Sequence, residues 1–411
     1  MKKIDLTELK RGAGYLFVGQ ISQAAIGFGS NLVLVRYLFP EDFGHFALIM
    51  AGVALIFAIM SFRIDAMIIR TPHAELSQHA RNRYFSAAIY ETIIASVLLV
   101  IMLKMNGQGG GWEYGLVLAL AVRHWAQQNK GFYERTLPYR KLAIVETSVA
   151  TSGSILAVCL VWFGFGAEVL FLREFYLSVC GVLGMWWIGG ITICRLKVLS
   201  LDDMRTLFHD AKGLWIDGVL ENSFGRIVIL LVGEIGGERL AGFFFQAQKL
   251  ALIPQQLIAP VIGRVAGNWF ARVDDGDWRQ KGRNRLLVSL AVVLAIPALI
   301  CIASADVIVP MLLGDRWSQS ANLLVGMSGF MMFIPLFEML RNYCWATKRV
   351  RWLLVGRVAQ YIGGAAPVAF YFLGWFPVDV TLALALSSAY MLAFVTLLVI
   401  LVKTENPPRK A

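Results

Sequence analysis

The chain alternates long apolar stretches with short polar connections. Twelve such stretches lie near residues 13–38, 44–62, 84–103, 112–129, 142–164, 167–194, 213–233, 241–264, 286–305, 320–344, 352–374 and 380–402. A helix of about 20 residues crosses the hydrocarbon core of a bilayer, and it satisfies its backbone hydrogen bonds internally while doing so. The pattern predicts an all-α integral membrane protein of twelve transmembrane helices.

Composition agrees, since 58% hydrophobic and 16% charged residues are too apolar a mix for a soluble domain of 411 residues. The net charge of +11 matters through its placement. When the connections are numbered alternately from the N-terminus, 27 of the 38 Lys and Arg fall in the odd set. The even set holds only Lys104, Arg239 and Arg316. Basic loops remain cytoplasmic, so both termini are expected inside. No basic domain exists to bind nucleic acid, and none is expected as a partner. Cys159, Cys180, Cys194, Cys301 and Cys344 all lie in spans, which gives no disulfide framework. Neither metal-ligand spacing nor a phosphate-binding loop is present, so no metal or cofactor is expected.

Residues 1–12 are read as a cytoplasmic amphipathic N-terminus, with Asp5 and Glu8 at capping-box spacing ahead of an uncleaved first helix. The connection 195–212 divides the spans six and six. It separates an N-terminal six-helix lobe (13–194) from a C-terminal one (213–402), with a cytoplasmic tail at 403–411. Six is even, so both lobes enter the membrane from the same side. Such lobes would be parallel repeats related by a pseudo-twofold axis along the membrane normal. At an offset of 198, Leu16 matches Leu214, Gly44 matches Gly242 and Phe46 matches Phe244. Each glycine follows a short turn containing acids, Pro40-Glu41-Asp42 and Gly237-Glu238-Arg239.

Polar residues inside spans are costly and mark cavities or partners. On the eighth span, Gln246, Lys249, Gln256, Pro260 and Arg264 share an arc of roughly 80° at the helical period. Snorkelling would explain Lys249 alone, but not the aligned glutamines. The first span has a similar face in Gln20, Gln23, Ala24, Gly27, Ser30 and Asn31, which close packing through small residues would also produce. The seventh carries Asp217 and Glu221 on one face and Arg226 roughly opposite. Its carboxylates suit ion coupling, or pairing with a neighbouring cation. Arg123, Gln127 and Lys130 form a stripe toward the cytoplasm; Arg36, Arg341 and Arg357 lie near span ends where snorkelling accounts for them, and Glu338 and Arg341, three apart, also have the spacing of a pair. The faces of the first, seventh and eighth spans together predict a hydrated cavity between the halves, with fixed positive charge from Arg226, Lys249 and Arg264. Pro254 and Pro260 should bend the eighth helix.

The layout, and three segments in particular, resemble a known family. Residues 32–47 (Leu-Val-Leu-Val-Arg-Tyr-Leu-Phe-Pro-Glu-Asp-Phe-Gly-His-Phe-Ala) resemble the first hairpin of the multidrug/oligosaccharidyl-lipid/polysaccharide exporter superfamily. Residues 62–70 are similar to the segment closing its second helix, and residues 239–272 to its eighth helix and exit. Within that superfamily the chain looks most like polysaccharide exporters and O-antigen (Wzx-type) flippases. The resemblance implies a bacterial inner-membrane transporter, not an enzyme. It would turn a polyprenyl-pyrophosphate-linked glycan across the bilayer by alternating access, among membrane lipids and other glycan-assembly membrane proteins. One departure stands out: such flippases often have Arg on the first helix's cavity face, where this chain has Gln and Asn. Two other readings remain open. A multidrug or organic-cation antiporter would use Asp217 and Glu221, and a membrane glycan polymerase or ligase would need a larger outside loop.

Overall fold

The computed structural model describes residues 6–71, 75–105, 111–135, 139–262, 266, 269–270, 275–375 and 378–405. The regular structure among them is helical: α1 Leu6–Tyr37, α2 Pro40–Met60, α3 Ile64–Arg70, α4 Gln78–Met105, α5 Gly111–Glu134, α6 Tyr139–Trp162 and α7 Glu168–Trp187. These are followed by α8 Leu201–Ala251, α9 Ile253–Val261, α10 Gly276–Leu313, a 3₁₀ turn Asp315–Trp317, α11 Gln319–Gly326, α12 Ser328–Ala346, α13 Val350–Phe372 and α14 Val378–Glu405. Among the described residues eight helices are long and apolar enough to cross a membrane: α1, α2, α4, α6, α7, α10, α13 and α14. The pair α11 and α12, bent by 41°, makes a ninth. Helices α5 and α8 fall outside that set, and they carry many of the charges considered below.

Among the described residues each predicted span falls mainly on helix, but the connections differ from expectation. Residues 63–83 contain α3, whose preceding residue Arg63 adopts a left-handed φ of 57°. The expected linker 195–212 is helical from Leu201 onward. There Ser200 and Asp203 form a reciprocal capping box: the Asp203 N–H donates to Ser200 Oγ at 3.1 Å, and the Ser200 N–H to Asp203 Oδ2 at 3.3 Å. The seventh and eighth spans run into one another through α8, broken only at Gly237, whose φ of 71° only glycine adopts freely. Helix α7 stops at Trp187, short of the predicted 194, because Gly189 turns left-handed and the Gly190 N–H closes onto Met185 O. Pro254 sits in the first turn of α9, where its missing N–H costs nothing, and the helix restarts there after Leu252. The Asp5–Glu8 box begins outside the described residues.

The chain forms two compact units: Met1–Leu38 with Ile49–Arg226, and Phe39–Leu48 with Ile227–Ala411. In the first, α1 lies along α6, and Gly19 makes room for the Thr147 side chain: a Cβ there would stand 2.9 Å from Thr147 Oγ1. Helices α3, α4 and the start of α8 share a core of Ile64, Met67, Ile68, Tyr84, Ala88 and Ala211. The Trp215 indole N–H donates to Ile59 O at 2.8 Å, tying α8 to the end of α2.

In the second unit, α14 packs along α13 and α12. Its clearest packing device is a crossing of α2's first turns with α8. A Cβ on Gly44 would overlap the Glu238 carbonyl, and one on Gly242 the Pro40 carbonyl. Two backbones therefore touch directly, through the two glycines matched in the sequence. Ion pairs flank the crossing, His45–Glu238 at 2.8 Å and Arg239–Glu41 at 3.4 Å.

Candidate functional site

The polar stripe of α5 opens onto a cavity of about 290 Å³ within the first unit. Its wall includes Gln23 from α1, Arg123, Gln127 and Lys130 from α5, and Glu146 from α6, with apolar closure by Val149, Leu177 and Met185. The geometry follows from local sequence. Arg123, Gln127 and Lys130 recur at helical spacing, so one face of α5 delivers all three. Each charge has a counterion. The Arg123 guanidinium donates to Glu174 Oε2 at 3.1 Å, and the Lys130 ammonium contacts Glu146 Oε1 at 2.5 Å and Glu134 Oε1 at 3.1 Å. The Gln23 amide donates to Thr147 Oγ1 at 3.1 Å. Lys130 keeps 25% of its side chain exposed and Glu146 41%, so the pair is accessible rather than sealed. Such a lining offers amides, a carboxylate and two cations to one guest.

Next to this cavity, α4 and α5 share a second polar contact. His124 Nε2 lies 3.1 Å from Glu91 Oε1, and Glu91 Oε2 accepts from the Phe62 N–H at the end of α2. Gln128 bridges Ser61 Oγ (2.8 Å) and the Asp65 N–H (3.1 Å). These bonds satisfy the break between α2 and α3.

In the second unit, Lys249 on α8 is half-buried, its ammonium 4.4 Å from the centroid of the Phe245 ring and 5.7 Å from that of Phe43. Phe43 and Phe243 in turn stand edge-on to the buried Trp317. Lys249 is thus held in an aromatic cradle, where ring faces favour a partly desolvated cation.

The remaining residues singled out by sequence are distributed as follows. Gln20 is exposed and Asn31 half-buried on α1. On α8, Asp217 is buried, Glu221 half-buried and Arg226 exposed, all in the first unit. Gln246 is buried at 1% exposure, whereas Gln256, beyond the restart of the helix, is exposed. Arg264 lies outside the described residues. Arg357 corrects an expectation: it does not snorkel but is 1% exposed, donating to Gln360 Oε1 at 3.2 Å and lying over the Phe337 ring. Its face of α13 packs against neighbouring helices, and distance from a helix end says nothing about that. Arg341 pairs with Glu338 at 2.5 Å, as their spacing of three allows. Reading spans one at a time could find the α5 stripe but not its partners. Gln23 and Glu146 lie on other helices and meet it only in the fold.

A family model described as "Polysaccharide biosynthesis protein" matches residues 33–322. Over 315 residues the chain is 21% identical to the lipopolysaccharide biosynthesis protein WzxC of Escherichia coli (strain K12), covering 75% of this chain and 64% of that protein. It is 19% identical over 323 residues to the succinoglycan biosynthesis transport protein ExoT of Rhizobium meliloti (strain 1021), covering 77% and 65%. The capsular polysaccharide biosynthesis protein CapF of Staphylococcus aureus is 23% identical over 250 residues, covering 56% and 61%. The chain therefore spans a little under two thirds of the length of these relatives. Among solved structures, the lipid II flippase MurJ in an inward closed conformation matches with a TM-score of 0.71 at 13% identity, covering 94% of this chain and 87% of that one. An inward-facing multidrug resistance MATE family transporter of the MOP superfamily matches with a TM-score of 0.60 at 13% identity, covering 95% and 99%. These two likenesses establish fold.

Proposed function

Because the chain belongs to the polysaccharide biosynthesis protein family, we propose that it turns a polyprenyl-pyrophosphate-linked oligosaccharide from the cytoplasmic to the outer leaflet of the bacterial inner membrane. The observation that carries this reading is the cavity lined by Gln23, Arg123, Gln127, Lys130 and Glu146. Away from water, sugar hydroxyls need hydrogen-bond partners and a pyrophosphate needs fixed cations. The two glutamines and Glu146 meet the first need, Arg123 and Lys130 the second, and Lys249 adds a cation on α8. The prenyl chain remains in lipid. Asp217 and Glu221 are the proposed coupling carboxylates, and Gln20, Asn31, Arg226, Gln246, Gln256 and Arg264 the wider contact set.

Transport is by alternating access between two six-helix lobes with twelve crossings and cytoplasmic termini. The reciprocal crossing supports the pseudo-twofold relation: Pro40 and Glu238 stand at the same offset of 198 as Gly44 and Gly242. The topology is checked with a periplasm-active reporter, which gives signal when fused after residue 315 and none after residue 280. The reverse pattern overturns it.

The decisive assay is surface glycan in a strain lacking the gene, with membrane abundance measured for each variant. Lys130→Ala and Arg123→Ala reduce export at least about tenfold at normal abundance, a loss of about 1.4 kcal/mol of differential binding. Lys249→Arg retains partial export, and Lys249→Glu is worse than Lys249→Ala because it adds repulsion to an anionic cargo. Normal export by both Lys249→Glu and Lys130→Ala at normal abundance overturns the reading. Improved handling of organic cations by Lys249→Glu points to the antiporter instead.

A further inference from the structure

The second unit contains a larger and quite different cavity, a groove of about 690 Å³ along the start of α10. Its apolar wall comes from Ile258 and Ile262 on one side and Leu286, Leu290 and Val293 on the other, and Met339 closes it. Trp269, Trp278, Lys281 and Arg285 line it as well. The residues Trp278, Lys281, Arg285, Ser289 and Val293 recur at helical spacing, so one stripe of α10 grades from aromatic to cationic to apolar. From Arg285 to Val293 the stripe descends roughly 12 Å at the helical rise. Gly282 allows the groove to exist in this form: a Cβ there would overlap the Trp269 ring, which lies against the bare backbone of α10.

The two cations contrast with the one between them. Arg283 points inward, is 0% exposed and is bound to Glu405. Lys281 and Arg285 are exposed, and among the described residues neither pairs with a carboxylate. Cations left free beside an apolar groove, under interfacial tryptophans, complement an amphiphile with an anionic head. The connection bearing them belongs to the basic set expected on the cytoplasmic face, where the anionic lipids of the inner leaflet lie.

We propose that this groove is a binding site for an anionic phospholipid of the inner leaflet. Its phosphate sits between Lys281 and Arg285, and an acyl chain lies along Leu286, Leu290 and Val293. The site is separate from the polar cavity, and the proposal holds whatever cargo that cavity carries.

The test uses the full-length protein in nanodiscs of dioleoylphosphatidylcholine, into which dioleoylphosphatidylglycerol is titrated, with retained lipid counted by native mass spectrometry and melting followed in parallel. The parent retains phosphatidylglycerol and melts higher as its fraction rises. The double variant K281A/R285A binds it roughly 30-fold more weakly, about 2 kcal/mol for two basic residues. Ser289→Trp fills the apolar end, keeps both cations, and also weakens retention. Removing two exposed basic residues elsewhere, in R205A/K212A, leaves retention within about twofold of the parent, an effect below 0.5 kcal/mol. Equal retention of phosphatidylcholine, an unchanged K281A/R285A variant, or preference for undecaprenyl phosphate over phosphatidylglycerol each overturns the proposal. The last would make the groove an entry point for cargo lipid.

Discussion

Charged side chains lie inside both units, in opposite settings. In the first, Lys130 and Arg123 border a cavity, and their carboxylate partners leave them accessible, with 25% and 37% of their side chains exposed. In the second, Arg283 and Arg357 are 0% and 1% exposed and spend their hydrogen bonds on Glu405, Asn284 and Gln360. The Glu405 carboxylate also takes Arg349 at 2.7 Å and the Tyr343 hydroxyl at 2.6 Å, which ties the end of α14 to α10, α12 and the turn before α13. A charge within an apolar chain can therefore be sealed as a fastening or left open to a cavity, and what surrounds it decides which.

The contrast is most easily broken at Arg283. Arg283→Ala takes from Glu405 its closest cation but leaves it Arg349, so the cost should stay below about 3–5 kcal/mol, that of leaving a buried charge with no partner. A fall in melting temperature and in membrane abundance is expected. Unchanged melting with lost export would place Arg283 among the guest contacts and erase the distinction.

A smaller effect is expected at the start of α8. The Lys197 ammonium, 2.8 Å away, and the Ser200 cap hold the Asp203 carboxyl down at about 2, from an ordinary 3.8. A carboxylate depressed in the fold contributes stability above its unfolded value and loses it as pH falls through the folded one. Asp203→Asn should thus melt below the parent at neutral pH, by about 1 kcal/mol. The gap should close between pH 3.8 and about 2. A gap that persists at pH 2 would show that Asp203 acts through packing alone.

The smallest stability effect belongs to the cavity. Glu146→Gln removes a part-exposed ion pair and should cost less than about 1 kcal/mol. Export should nevertheless change, since the lining has lost a charge. A loss of several kcal/mol would make Lys130–Glu146 a fastening like Arg283–Glu405.

Hydropathy made the helices legible, because a span of apolar residues admits few alternatives in a bilayer. The turn at Gly237 was also readable, and the offset of 198 matched Gly44 with Gly242, but that the two glycines meet at one crossing was not. Helix α3 and the helical start of α8 were not. Their hydrophobic residues are too few to stand out as spans, and they fold because Ile64, Ile68 and Ala211 share a core built from distant segments. The cavity in the first unit is not the one expected from the first, seventh and eighth spans, and only its α5 stripe was legible. The stripe on α5 is a local period, whereas its closure by Gln23 and Glu146 depends on packing more than 100 residues away in one case. Arg357 was misread because proximity to a span end ignores which side of the helix is covered.

The crossing at Gly44 and Gly242 is made of backbone alone, with no side chain to titrate, screen or oxidise. Ionic strength and acidity should leave it indifferent, while the His45–Glu238 and Glu41–Arg239 pairs on its rim, with roughly half their side-chain surface in solvent, weaken as salt rises. The geometry at this point is thereby separated from its trim. A change of salt can loosen the rim without altering the distance of closest approach, whereas a side chain on either glycine would have to change it.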